Sequence, residues 1–413
     1  MQKLKRPELL APAGDLEKLQ AAVRFGADAV YAGAGNYSLR AQNSTFSLAE
    51  LAEGVRFAHE HACKFYLAMN IYAFDNDLEL LKEYFLEAEK LGIDAVIVSD
   101  PGVLNLLRSL STGVKFHIST QANTTNSEAV KFWLNNGAAR IVAARELTLG
   151  QLKHIKETVP AAELEIFIQG AMCIAYSGRC ILSRHLTGRS ANRGECAHPC
   201  RWEYRLQEPA HNEIYTAAED QNGTYILNSR DLCLIKHIPE LIQAGLDSFK
   251  IEGRMKSAFY TALTTKVYRQ AIDTYLAAPE KYTVAQDWLE LLEKISHRPY
   301  TDGLLFPGLD KDTEYTLDSA YIKNYDFVGT VADYVPETKQ LTISGRNRFC
   351  AGDELEILDP KITPLQKIKI GTMQKTNGEI ITEAHNSYTV TVDLNGQQIE
   401  DISRHSLLCR KRK

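Results

Sequence analysis

Through the first two thirds of this chain, short runs rich in Val, Ile, Phe and Ala alternate with stretches whose apolar residues return every three or four positions. The strand-like runs are Pro7–Ala13, Ala27–Gly33, Lys64–Asn70, Ala95–Asp100, Lys115–Gln121, Ala139–Arg145, Leu164–Gly170 and Ser248–Arg254. Helix-like stretches between them include Asp15–Phe25, Leu48–Ala62, Asn76–Leu91 and Asn126–Asn136. Gly26, Gly92, Gly137 and Gly245 stand where a chain leaves a helix with positive φ. Eight strand–helix units close into an α/β fold of the (β/α)8, TIM-like kind, with an open doubly wound sheet as the alternative.

The rhythm breaks once. Residues 171–230 separate the seventh strand from the next helix, expected near Leu232. A connection that long in a compact domain is functional or a small subdomain. In a parallel barrel it leaves from the face where active sites are built. From about residue 278 a helical connector holds Trp288–Ile295 and the irregular segment His297–Gly303. From about Asp326 the period becomes two, in Phe327–Val335, Gln340–Ser344, Glu354–Leu358, Lys367–Met373, Glu379–Glu383 and Tyr388–Leu394. Such short strands suit a small antiparallel β-barrel. The chain therefore reads as a barrel over 1–277 with an insertion at 171–230, a connector over 278–325, and a C-terminal β-barrel over 326–413. The last residues, Arg410-Lys411-Arg412-Lys413, read either as a phosphate contact or as a solvated tail.

Composition limits the partners. Asp and Glu total 52 against 47 Lys and Arg, a net charge of −5, so nucleic acid would have to be met by a local patch. No run approaches the roughly 18 apolar residues of a membrane span. The start, Met1-Gln2-Lys3-Leu4-Lys5-Arg6-Pro7, lacks the apolar core of a signal peptide. The expectation is a cytoplasmic chain with no membrane partner and reduced thiols.

Reduced thiols give weight to the cysteines. Of the 8 in the chain, Cys173, Cys180, Cys196 and Cys200 share the long connection, spaced Cys-x6-Cys-x15-Cys-x3-Cys. Such a group points to metal or cluster ligation rather than disulfides, because gathered thiolates require a compensating cation. Zinc favours paired knuckles, a form only Cys196 and Cys200 fit, whereas iron–sulfur clusters tolerate irregular spacing. Both remain open, and Cys233 is an alternative fourth ligand. The same segment carries Arg179, Arg184, Arg189, Arg193, Arg201 and Arg205 against Glu195 and Glu203, with Tyr176, Trp202 and Tyr204 among them. Guanidinium groups grip phosphate and aromatic rings stack on bases, which makes Arg179, Arg184, Arg193, Arg201, Tyr176 and Trp202 candidate RNA contacts. The alternative is that the arginines only offset the charge of the thiolates.

Strand ends on the expected active face offer Asn70, Asp100, Gln121, Arg145, Glu146, Gln169, Glu252 and Arg254. Gly33-Ala34-Gly35 lacks the third glycine of a dinucleotide loop, and His59-Glu60-His61 lacks the spacing of a zinc protease helix. A Gly-x-Ser-x-Gly elbow is absent.

The segment Gly170-Ala171-Met172-Cys173-Ile174-Ala175-Tyr176-Ser177-Gly178-Arg179-Cys180 resembles the signature of the collagenase-like peptidase family U32. Asn192-Arg193-Gly194-Glu195-Cys196-Ala197-His198-Pro199-Cys200, Pro7-Glu8-Leu9-Leu10-Ala11-Pro12-Ala13-Gly14, Lys250-Ile251-Glu252-Gly253-Arg254-Met255-Lys256 and the segment from His297 to Gly303 extend the resemblance. It implies two competing activities. One is peptidase action, including on collagen. The other is oxygen insertion, in which members hydroxylate tRNA uridine, ribosomal RNA cytidine or a ubiquinone precursor. For the second, the resemblance implies a 4Fe–4S cluster on Cys173, Cys180, Cys196 and Cys200, with zinc as the alternative metal. It also implies tRNA as partner, prephenate in the supporting pathway, and an unidentified electron donor. Gln169, Glu252, Arg254 and His297 are the candidates for catalytic roles. Hydrolysis needs an activated nucleophile or an open Lewis-acid metal, and a fully thiolate-bound cluster supplies neither. The reading is therefore of an RNA hydroxylase, with a peptidase and a non-catalytic RNA-binding subunit as alternatives.

Overall fold

A computed structural model describes residues 4–38, 46–110, 113–173, 175, 179–180, 182–199, 230–306 and 321–412, together with the backbone of short strands between 205 and 225. The chain forms two compact units.

In the first unit the expected strands are β1 (Glu8–Pro12), β2 (Ala29–Gly33), β3 (Lys64–Ala68), β4 (Ala95–Val98), β5 (Lys115–Ile118), β6 (Ala138–Val142), β7 (Glu163–Ala171) and, after a short β8 (Asp231–Cys233), β9 (Ser248–Ile251). Pairing decides between barrel and open sheet. Strand β9 runs parallel to β1, with Leu9 opposite Phe249, and also to β7, with Ile166 opposite Phe249. The eight-stranded parallel barrel is closed.

The intervening helices are α1 (Leu16–Arg24), α2 (Leu48–Glu60), α3 (Asp75–Lys90), α4 (Pro101–Arg108), α5 (Ser127–Asn135) and α6 (Leu149–Thr158). Side-chain oxygens of Asp15, Ser47, Asp100, Asn126 and Thr148 accept from the first free N–H groups of α1, α2, α4, α5 and α6, so strand-to-helix turns are fixed by local chemistry. A short α7 (Leu182–Thr187) lies in the long connection, and α8 (Ile238–Gln243) and α9 (Ala258–Ala277) flank β9. Leu232, expected near a helix start, instead belongs to β8, antiparallel to β7 with Leu232 opposite Gly170. A further strand, β10 (Tyr300–Thr301), runs parallel to β8.

The barrel interior is charged as well as apolar. Glu165 of β7 is wholly buried and meets Lys250 Nζ at 3.0 Å, Arg140 Nη1 at 3.3 Å and the Ser248 hydroxyl at 3.0 Å. Arg140 also pairs with Glu8 and Glu163, and the Tyr66 hydroxyl donates to Glu8. Burial opposes ionisation of Glu165, but Lys250 and Arg140 outweigh it and hold its pKa below the ordinary value.

The second unit comprises Ala285–Ser296 and Ile322–Lys413, while His297–Tyr321 belongs to the first. The segment expected as one connector is thus divided, and its helix is α10 (Gln286–Leu292). The C-terminal strands build an eight-stranded antiparallel half-barrel. Leu341 and Ile343, and Leu355 and Ile357, point to its core at period two, joined there by Val328, Val331 and Leu408. Of the basic segment, Arg410 and Lys411 belong to an interior strand, Leu407–Lys411, between Glu354–Leu358 and Tyr325–Val335, while Lys413 lies outside the described residues. Arg410 pairs with Asp353 and Arg412 with Asp326, so these two charges are held by acids. Among the described residues no helix is long and apolar enough to cross a membrane.

Candidate active site at the barrel mouth

Several strand-end polar groups converge where parallel strands deliver them. The Asn70 amide donates to Gln121 Oε1 at 3.0 Å, and the Ser99 hydroxyl reaches the same oxygen at 3.2 Å. Gln121 is held on a 3-10 turn capped by Ser119. Asp100 instead turns away to accept from the N–H groups of Gly102 and Val103, which makes it the cap of α4. Arg145 Nη1 reaches the carbonyl of Ala171 at 3.1 Å, and its guanidinium lies 4.0 Å from the centre of the Phe167 ring.

The ends of β7 and β9 approach closely because Gly170 separates them. Its φ is +111°, and a Cβ there would sit 2.5 Å from the carbonyl oxygen of Glu252. The Glu252 N–H donates to the Gln169 carbonyl at 2.9 Å. Tyr31 donates to the Ile251 carbonyl and lies 3.5 Å from Glu252 Oε2, while Tyr260 donates to the Glu252 carbonyl. The Glu252 carboxylate is thus carried into the mouth on a backbone fixed from both sides. Gln169 is buried and its Oε1 accepts from Tyr268 at 3.0 Å. The Gln169 Nε2 and Arg145 Nε atoms are buried without a hydrogen-bond partner among the described residues. Unsatisfied buried donors are costly, and two beside one mouth suit an acceptor-rich ligand.

Arg254 is buried and donates to the Ser38 hydroxyl at 2.6 Å. His297 is buried, its Nδ1 is 2.7 Å from the Arg298 carbonyl, and its ring stacks on Tyr300 at 4.2 Å. These contacts place both side chains within the packed rim. Sequence reasoning missed their neighbours: Arg298 donates to Asp231 Oδ1 through Nε at 2.9 Å and brings Nη2 within ion-pair distance of the same oxygen, at 2.8 Å, with both side chains at most 2% exposed. Lys256 lies 3.8 Å from the other Asp231 oxygen. The one available signal was that Arg298 follows His297 in a family-like segment.

The cysteine-bearing connection is laid over this mouth. Arg193 grips Asp77 of α3 through both terminal nitrogens, at 2.6 and 2.9 Å, and holds that carboxyl below its usual pKa. The Arg179 Nε donates to the Tyr72 hydroxyl at 2.7 Å and the Gln121 carbonyl at 3.0 Å. Tyr72 N–H in turn donates to the Asn192 carbonyl, and Cys180 N–H to the Asn192 side chain. Arg184 is exposed on α7. Tyr176, Cys200, Arg201 and Trp202 lie outside the described residues.

Of the proposed ligands, Cys173 is exposed and Cys180 and Cys196 are half-buried, all as free thiols. Among the described residues, no three His, Cys, Asp or Glu side chains are grouped to hold a metal ion. Cys233 sits on β8 with its sulfur 3.9 Å from the Tyr268 hydroxyl, and burial pushes its thiol up to about 11.

A family model for peptidase family U32 matches residues 14–314, and a second, for the C-terminal domain of that family, matches 323–404. The chain belongs to peptidase family U32. This U32 protein is 42% identical over 359 residues to tRNA hydroxylation protein P1 of Bacillus subtilis (strain 168), covering 87% of this chain and 85% of that one. It is 38% identical to tRNA hydroxylation protein P of Escherichia coli (strain K12), over 86% of this chain and 87% of the relative. A collagenase of Porphyromonas gingivalis is 31% identical over 86% of each chain.

Proposed function

We propose that this U32 protein is an RNA-modifying enzyme that hydroxylates a tRNA uridine, producing 5-hydroxyuridine at the wobble position. The observation that carries the reading is the similarity to two tRNA hydroxylation proteins across more than four fifths of the chain. The mouth geometry supports it. Unsatisfied donors on Gln169 and Arg145 suit the carbonyl oxygens of a pyrimidine base, and the arginine-bearing connection lies where the flanking phosphates would pass. In this reading Glu252, half-buried beside Tyr31, is the group that accepts or returns a proton on the base. Gln169 orients the base, and Arg254 with His297 fixes the rim.

Within this proposal, on donor chemistry alone, Cys173, Cys180, Cys196 and Cys200 would hold a 4Fe–4S cluster, which would supply one-electron transfer. Anaerobic purification with iron and sulfide analysis checks it: about four of each per chain supports the cluster, and stoichiometric zinc overturns it. Prephenate and an electron donor are further parts of the proposal, tested by adding each to a reconstituted reaction.

The deciding experiment is mass spectrometry of tRNA from a strain lacking this gene and any second family member. Loss of 5-hydroxyuridine derivatives, restored by the native chain and not by Glu252→Ala, supports the assignment. Unchanged derivatives overturn it. The collagenase-like relative raises hydrolysis as the second reading, which predicts that the purified protein degrades gelatin. The Cys233 thiol, held protonated by burial, is a poor nucleophile for that chemistry.

A further inference from the structure

We propose that Phe74 is a stacking platform for an unpaired RNA base at the rim of the barrel mouth, an inference that rests on the RNA-modifying reading above. Phe74 occupies the N-cap position of α3. That position favours Ser, Thr, Asp or Asn, whose side-chain oxygens satisfy free N–H groups of the first turn. Phenylalanine offers no such oxygen. Asp77 serves this helix end by accepting the Phe74 N–H at 2.7 Å. The ring does not enter the core either, since the residue is 59% exposed. A large aromatic side chain that neither caps nor packs breaks the local rules, and such departures concentrate at functional surfaces.

What lies against the ring gives it a chemistry. The Arg193 guanidinium carbon is 4.8 Å from the ring centre, and its position is fixed by the two bonds to Asp77 and one of 3.3 Å to the Tyr72 carbonyl. The same device recurs two residues earlier. Arg179 lies 5.6 Å from the Tyr72 ring, whose hydroxyl donates to the Gln121 carbonyl at 2.7 Å. Two guanidinium groups from the cysteine-bearing connection thus back two aromatic rings of the loop between β3 and α3. An exposed ring held beside a cation is the element that single-strand binders use, because every nucleobase presents a π-face. The neighbouring Asp75 is exposed and repels a phosphate at this spot, which leaves the base rather than the backbone as the contacting group. Arg179 and Arg184, both exposed, are cations of the same connection that suit the flanking phosphates.

Binding of labelled, unmodified tRNA transcripts to the native chain and to Phe74→Ala, Phe74→Leu and Phe74→Tyr, read by fluorescence anisotropy, tests the platform. Thermal melting of each variant confirms that the exposed position leaves the fold intact. Loss of one base stack weakens binding by about 5- to 150-fold. That loss is expected for Ala and for Leu, which keeps apolar bulk without a π-face, while Tyr stays within about threefold of the native chain. A tryptophan introduced as Phe74→Trp should also lose fluorescence when RNA is added. If the native chain binds tRNA and the Ala and Leu variants match it within twofold, the platform is wrong and the RNA reading stands. If the native chain binds no tRNA, the RNA reading falls and the platform with it.

Discussion

Replacing Glu165 with Gln removes one charge from the barrel interior while keeping size and hydrogen-bonding capacity. Lys250 Nζ, 3.0 Å from the carboxylate, then loses that ion pair and keeps the weaker attraction of Glu252, and Arg140 loses one of its three acids. At an effective dielectric constant near 20, a unit pair 3 Å apart attracts by about 5 kcal/mol. Relief of carboxylate desolvation offsets part of that, which agrees with the roughly 3–5 kcal/mol measured when one partner of a buried pair is removed. In a domain of this size the loss lowers the melting temperature by about 6–20 °C. Adding Lys250→Met removes the ammonium and should recover at least half of the loss, since an apolar substitute for a buried pair is often neutral. Burial already lowers the pKa of Lys250 even with Glu165 present, and more so without it. Below its ordinary pKa near 10.4 the unfolded chain keeps a proton that the folded variant gives up, so stability of Glu165→Gln rises with pH. The gap to the native chain should narrow between pH 7 and pH 9.5. Differential scanning calorimetry at both pH values decides the matter. A melting temperature within about 2 °C of native at pH 7, or a deeper loss on adding Lys250→Met, refutes the reasoning.

Gly170→Ala should destabilise by at least about 2 kcal/mol, because it combines positive φ with a clash against the Glu252 carbonyl; reduced soluble yield and a lower melting temperature check it. Arg193→Lys replaces a two-pronged grip on Asp77 with one contact, so hydrogen exchange over 180–196 should speed up while the barrel strands keep their protection. Asp247 is held below its usual pKa: burial opposes ionisation, but Lys156, Lys5 and the Leu164 N–H outweigh it. Its contribution is complete above the unfolded value near 3.9 and disappears as pH falls through the lower folded value. Asp247→Asn should therefore cost stability at pH 7 and have little effect at pH 2, read as melting temperature against pH.

The barrel was legible because each strand is a run of β-branched and aromatic residues bounded by a capped helix, and periodicity survives without knowledge of partners. The charged interior was not, because Glu163-Leu164-Glu165-Ile166 alternates like a strand with one wet face, and only closure shows that Glu165 points inward. Leu407–Lys411 escaped as a strand because its last residues are cations, matched by acids more than fifty positions away in the sequence. Of the mouth, Gln169 and Glu252 were legible from position at strand ends. Asp231 and Arg298, joined across 67 residues, have no local signature, nor does Phe74, which reads as an ordinary apolar residue ahead of a helix.

The chain crosses from one unit to the other more than once: Ala285–Ser296 belongs with the C-terminal strands, while His297 onward returns to supply β10 and the partner of Asp231. No single scission therefore yields two intact halves. A fragment stopping at residue 277 would forfeit Arg298 and leave the Asp231 carboxylate without its guanidinium partner, and one starting at 322 would be missing α10. Anyone wishing to study either half by itself must splice rather than truncate.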